Sequence, residues 1–137
     1  VSRASREVID ALNGFGEEIG LAFQLSDDII DITSEVTGKT PGTDLREGID
    51  TLPTLLLRAS DDPADSALVA RIDGDLSEDA ALAEVLEQLR GHRVIEQARD
   101  EVRRRADLAR GHLVGLREGP AKDALLQVCD EIVGRMS

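Results

Sequence analysis

The sequence predicts an all-α fold, and three observations predict it. Apolar residues recur at helical spacing through most of the 137 residues. No stretch shows the alternation of period two that marks a half-buried strand. Phe15 and Phe23 are the only aromatics, so the core must be built from Leu, Ile, Val and Ala, which suits helix packed on helix. With 41% apolar residues the chain can fill an ordinary core, and residues 1–137 read as a single all-helical domain or a fragment of one.

The first predicted helix runs from about Ala4 to Thr33, with Val8, Leu12, Phe15, Ile19, Phe23 and Ile30 at helical intervals. Gly14, Gly16 and Gly20 weaken it, each by about 1 kcal/mol relative to Ala, which points to close packing or close approach of a ligand. "SEVTGKTPGTDLREGID", Ser34 to Asp50, reads as a long loop, a type of segment that is disproportionately functional. "TLPTLLLRAS" resumes a helix, with Pro53 tolerated in its first turn. "DDPAD" breaks it, and four further amphipathic segments follow, edged by Ser, Asp, Gly or Pro.

Charge and composition exclude several classes. A formal charge of −12 repels phosphate backbones, so general nucleic-acid binding is not expected. No apolar run reaches transmembrane length and no signal peptide is visible. A single cysteine, Cys129, rules out an internal disulfide and fits a cytoplasmic address. The chain begins with Val1, as a fragment, a processed product or the ordered part of something longer would.

The residues that suggest chemistry are in "FQLSDDIID", Phe23 to Asp31. On a helix turning about 100° per residue, Asp27, Asp28, Asp31, Gln24 and Gly20 share one sector. Leu21, Ala22, Leu25, Ile29 and Ile32 occupy the other side. Two partly buried carboxylates about 4 Å apart repel by about 4 kcal/mol at an effective dielectric of about 20. No Lys or Arg lies between Glu7 and Thr37 to offset this. A hard divalent cation would: Mg²⁺ takes oxygen ligands, keeps several waters and uses one or two carboxylates plus substrate phosphates. The competing reading is a solvated helix face, and D-D-x-x-D alone does not decide between them.

"DDPAD", Asp61 to Asp65, repeats the pattern without the geometry. Pro63 pushes the residue before it out of the helix, so Asp61 and Asp62 precede a helix that Asp65 has entered. These acids suit a helix N-terminus and not a shared metal face. In the loop, Lys39 lies between glycines eight residues past Asp31, where it reads as a phosphate contact or a solvated lysine. Asp44 reads as a further outer ligand or as a cap for the turn before Leu45.

Taken together, "GLAFQLSDDIIDITSEVTGKTPGTDLREGIDTLPTLLL" resembles the second aspartate-rich region of the trans-polyprenyl diphosphate synthases. The matching positions are Gly20, Phe23, Gln24, Asp27, Asp28 and Asp31, then Gly38, Lys39, Gly42, Asp44 and Leu45, then Gly48, Thr51, Leu52 and Pro53. The resemblance covers about Phe15 to Leu57 and implies the C-terminal portion of the isoprenoid synthase helical bundle. It implies a Mg²⁺-dependent prenyltransferase, condensing isopentenyl diphosphate head-to-tail with an allylic prenyl diphosphate. By the same resemblance Asp27, Asp28 and Asp31 bind the metal, with Asp44 a weaker candidate. Asp27, Asp28 and Lys39 are catalytic, and Lys39 also contacts the allylic diphosphate. Phe23 and Gln24 lie near the isopentenyl substrate, and a homodimer is the family habit. Ser26 before the first aspartate resembles the medium- and long-chain bacterial branch more than the farnesyl branch.

The family's first aspartate-rich motif and its basic isopentenyl-binding residues are missing from this sequence, so these 137 residues are not expected to catalyse condensation alone. Product length is not readable from them. A second reading is a non-catalytic small subunit or regulator of a heteromeric prenyl synthase. A third is a plain helical interaction module with an acidic face. His92 and His112 read as surface or interhelix residues, Cys129 as a buried inert thiol, and "RDEVRRRADLAR" as a solvated helix face.

Overall fold

A computed structural model describes residues 3–34 and 41–136. Seven helices make up the described chain: α1 (Arg3–Thr33), α2 (Thr43–Arg46), α3 (Leu52–Arg58), α4 (Pro63–Ile72), α5 (Asp79–Arg90), α6 (Arg93–Leu113) and α7 (Pro120–Gly134). No strand occurs among the described residues, so the all-α expectation holds. No helix among them is long and apolar enough to cross a membrane.

The chain divides into two compact units. One comprises Val1–Ser26 and Asp100–Ser137, the other Asp27–Arg99. In the first, Phe15 of α1 packs with Ala109 and Leu113 of α6 and Cys129 of α7, and Ile19, Leu125 and Leu126 close around them. Burial pushes the Cys129 thiol pKa up, which fits the inert role read from sequence. Lys122, nearly buried at the start of α7, donates to the carbonyl of Leu116 at 3.2 Å and pairs with Glu118 at 2.6 Å. It thereby satisfies a carbonyl left free just past the end of α6.

In the second unit, α3 packs on α4 and α4 on α5. Ile29, Ile32, Leu57, Val85 and Leu89 are at most 1% exposed, and burying each such side chain stabilises the fold by about 1.5–3 kcal/mol. The start of α3 follows from its residues. Thr51 is extended (φ −120°), and Pro53 follows in the first turn, where its missing N–H costs nothing. The buried Thr54 hydroxyl accepts the Thr51 N–H at 2.9 Å and donates to the Thr51 carbonyl at 3.0 Å. At the other end, Arg58 forks onto Asp73 at 2.6 and 3.0 Å.

One sequence expectation needs correction and another is refined. The stretch from Ser34 to Asp50 is not loop throughout: Thr43–Arg46 forms the short helix α2. Gly42 makes this possible by taking a left-handed φ of 78°, which turns the chain so that Arg46 and Glu47 bond back to Gly42 and Thr43 at 3.0 Å. The glycines of α1 also divide. A Cβ at Gly14 would lie 2.5 Å from the His112 ring, whereas Gly16 and Gly20 have nothing within 4 Å. Close packing therefore explains Gly14 alone.

Candidate metal and diphosphate site

The end of α1 is held from several directions within the second unit. Four carbonyls at a helix C-terminus lack intrahelical partners. Here Gly42 N–H donates to the Asp31 carbonyl at 3.2 Å and Arg90 Nε to the Ile32 carbonyl at 2.9 Å. Ile29 and Ile32 anchor the opposite face in the core. The helix that carries Asp27, Asp28 and Asp31 is thus fixed in rotation and at its tip.

These three carboxylates open on a cleft of about 210 Å³ lined by Asp27, Asp28, Ile30, Asp31, Ser34, Pro41 and Asp44. The sequence placed Asp27, Asp28 and Asp31 together through helical spacing. Asp44 arrives from α2 and lines the same cleft. Asp27 is exposed, and Asp28, Asp31 and Asp44 are half-buried.

Burial pushes the Asp28 carboxyl pKa up, and the charges of Asp44, Asp27 and Asp31 push it further. The backbone N–H of Leu52, in the first turn of α3, opposes them by favouring the charged form. The matched T-L-P sequence thereby gains a physical role that pattern alone did not supply. Pro53 brings no N–H and Thr54 takes that of Thr51, while the N–H of Leu52 lowers the Asp28 carboxyl pKa.

The donor set is carboxylate oxygen, which fits a hard divalent cation. Among the described residues, no three His, Cys, Asp or Glu side chains stand close enough to hold one ion between them. The arrangement therefore suits an ion that takes one or two carboxylates and completes its shell with water and phosphate oxygens.

The other candidates fall elsewhere. Gly38 and Lys39 lie outside the described residues. Phe23 and Gln24 are exposed and belong to the first unit. There the Arg135 guanidinium stacks 4.3 Å from the centre of the Phe23 ring. Sequence reasoning missed Arg90 and Arg135, because a basic residue near a helix end carries no signal of the distant backbone it will meet.

"DDPAD" behaves as its proline dictates. Asp62 caps α4, accepting the Ala64 N–H at 2.9 Å, with Pro63 opening the helix. Asp65, though, is buried and bonded to Ser60, His92 and Arg93. His92 is an interhelix residue, as one of its two sequence readings had it. Its Nε2 meets Asp65 at 2.6 Å, while Nδ1 accepts the Val94 N–H at 3.1 Å at the start of α6. With Nδ1 an acceptor, the Nε2–H donates to Asp65. The arginine-rich stretch of α6 makes surface pairs such as Arg103–Asp100, but Arg105 reaches Glu18 at 3.1 Å and Arg110 reaches Asp130 at 2.7 Å. These last two tie α6 to α1 and α7 within the first unit.

Comparison with known proteins points to one family. The polyprenyl synthetase family model matches residues 1–89. The chain is 39% identical over 136 residues to a nonaprenyl diphosphate synthase of Mycobacterium tuberculosis, covering 98% of this chain and 41% of that protein. It is 36% identical to a prenyl transferase of Synechocystis, covering 99% and 42% respectively. Among solved structures, it is similar to a geranylgeranyl pyrophosphate synthase from Corynebacterium glutamicum complexed with calcium and isoprenyl diphosphate. That match has a TM-score of 0.87 and 42% identity, over 96% of this chain and 41% of the other. A decaprenyl diphosphate synthase from Rhodobacter capsulatus superposes with a TM-score of 0.80 at 29% identity, over 96% of this chain and 42% of the other. The chain spans about two fifths of the length of the relatives it matches.

Proposed function

The chain belongs to the polyprenyl synthetase family, and from that premise we propose that it is the C-terminal part of a trans-polyprenyl diphosphate synthase. Within that enzyme it acts as one all-helical piece carrying the second aspartate-rich motif. The observation that carries the reading is the cleft in which Asp27, Asp28, Asp31 and Asp44 converge. Acids crowded in this way, with Asp28 pushed toward its neutral form, suit a site completed by a cation. The relatives named as prenyl transferases and prenyl diphosphate synthases support the same reading, as does the calcium and isoprenyl diphosphate complex of a structural neighbour.

In the proposed reaction an allylic prenyl diphosphate loses its diphosphate, whose leaving oxygens gather charge. The double bond of isopentenyl diphosphate attacks the resulting allylic cation, and loss of a proton completes a five-carbon extension. Mg²⁺ bound at the carboxylates would supply the charge that stabilises the departing diphosphate. Asp27 is the leading direct ligand, Asp28 and Asp31 share the task, and Asp44 bounds the cleft. The Leu52 N–H favours the charged form of Asp28. Lys39 holds the allylic diphosphate, and Phe23 with Gln24 borders the isopentenyl substrate. The enzyme is a cytoplasmic homodimer in this reading, and the 137 residues alone lack half of the metal cage.

The test is condensation by the complete protein, supplied with radiolabelled isopentenyl diphosphate and allylic diphosphates of graded length, with Mg²⁺ and after chelation. Extension that stops on chelation and returns with Mg²⁺ is expected, with none from the 137-residue chain by itself. Sustained turnover by that chain alone would refute the divided-cage account. No extension by the complete protein would favour the non-catalytic subunit.

A further inference from the structure

We infer that Arg135 is a positioning residue that holds Phe23 in place for the isopentenyl substrate. The inference rests on the proposed function, which places Phe23 beside that substrate. The hold has three points, all in the first unit. Arg135 caps the C-terminus of α7. Its Nε donates to the Ser26 hydroxyl at 2.9 Å, and its Nη2 donates to the Phe23 carbonyl at 3.4 Å. Its guanidinium lies 4.3 Å from the Phe23 ring centre. Ser26 is wholly buried and donates in turn to the Phe23 carbonyl at 2.7 Å.

Each part explains an otherwise unplaced feature. Phe23 is 48% exposed, and an exposed phenylalanine on a helix turns between rotamers unless something holds it. A planar cation over one face holds the ring and leaves the other face free. Ser26 in a helix interior ordinarily weakens the helix by bonding back to it. Here the same hydroxyl is the acceptor that orients Arg135. The clamp is rigid because Cys129 of α7 is packed with Phe15 of α1 in the core. An aromatic held this way meets its ligand without a further ordering cost.

The test uses the complete enzyme, with KM for each substrate, kcat, and direct calorimetric titration of isopentenyl diphosphate. Arg135→Ala is expected to raise KM and Kd for isopentenyl diphosphate about five- to tenfold. KM for the allylic substrate should move less than about twofold, with little change in thermal midpoint, since one neutral-acceptor hydrogen bond contributes little net stability. Arg135→Lys should recover part of the loss through the ring contact. Ser26→Ala should add nothing once Arg135 is gone, because the two act as a unit. An active enzyme whose isopentenyl KM and Kd ignore Arg135→Ala would overturn this inference alone. So would both substrate KM values rising together with a fall in thermal midpoint, which marks a purely structural role. If the wild type does not condense, the functional reading fails and takes this inference with it.

Discussion

Replacing Gly42 with alanine should destabilise the protein by roughly 1–5 kcal/mol, and the magnitude follows from three terms. The residue sits at φ 78°, where a Cβ costs about 1–2 kcal/mol. That Cβ would lie 3.1 Å from both δ-methyls of Leu86 and 3.2 Å from a δ-methyl of Leu82. Carbon atoms prefer about 3.5–4.0 Å, and both leucines are buried, so neither yields freely. Overpacking of this kind costs about 1–3 kcal/mol. Against these, alanine restricts the unfolded chain and returns about 0.4–1 kcal/mol. The site should feel the change as well. Gly42 N–H holds the Asp31 carbonyl at 3.2 Å, and its neighbour Pro41 lines the cleft with Asp44. Urea denaturation of the complete protein measures the stability, and calorimetric Mg²⁺ titration in the presence of an allylic diphosphate measures the site. Gly91→Ala is the control: Gly91 caps α5 at φ −90° with nothing within 4 Å, so alanine there should be neutral or stabilise by up to about 1 kcal/mol. Equal effects of the two substitutions, or a Gly42→Ala protein as stable as the wild type, would mean that neither the left-handed turn nor the leucine contacts constrain this position.

Two further outcomes are expected. Asp28→Asn removes a charge from a crowded cleft whose other carboxylates repel it, so the metal-free protein should be unchanged or slightly more stable. Its Mg²⁺ affinity with diphosphate should fall at least about tenfold; a loss of stability without loss of binding would reverse the assignment. Arg93, Ser60 and His92 hold the Asp65 carboxyl far below the usual carboxylate range. Its contribution to stability is therefore full above the unfolded value of about 3.9 and is lost as the pH falls below that. The gap in urea midpoint between wild type and Asp65→Asn should be widest near neutrality and shrink from about pH 4 downward, and parallel curves would count against the network.

Much of the fold and the heart of the candidate site were legible in the sequence, and the reason is local. Helical periodicity is a property of neighbours, so α1 and its carboxylate face could be placed from residues within about two turns of one another. Pro63 dictated that Asp61, Asp62 and Asp65 would not share a face, through backbone sterics that need no tertiary context. The short helix α2 escaped because four residues, Thr43 to Arg46, carry too few positions for a period to show.

Other features arise between residues far apart in the chain. Asp44 joins the acidic cleft because Gly42 reverses the chain. The Leu52 N–H lowers the Asp28 carboxyl pKa because α3 begins beside it. His92 reaches Asp65 across 27 residues, Arg90 reaches Ile32 across 58, and Arg135 reaches Ser26 across 109. Each such meeting depends on how loops close and helices dock, and a polar side chain looks the same in sequence whether its partner is water or a distant backbone. The sequence determined which residues share a helix face; packing determined which distant groups meet them.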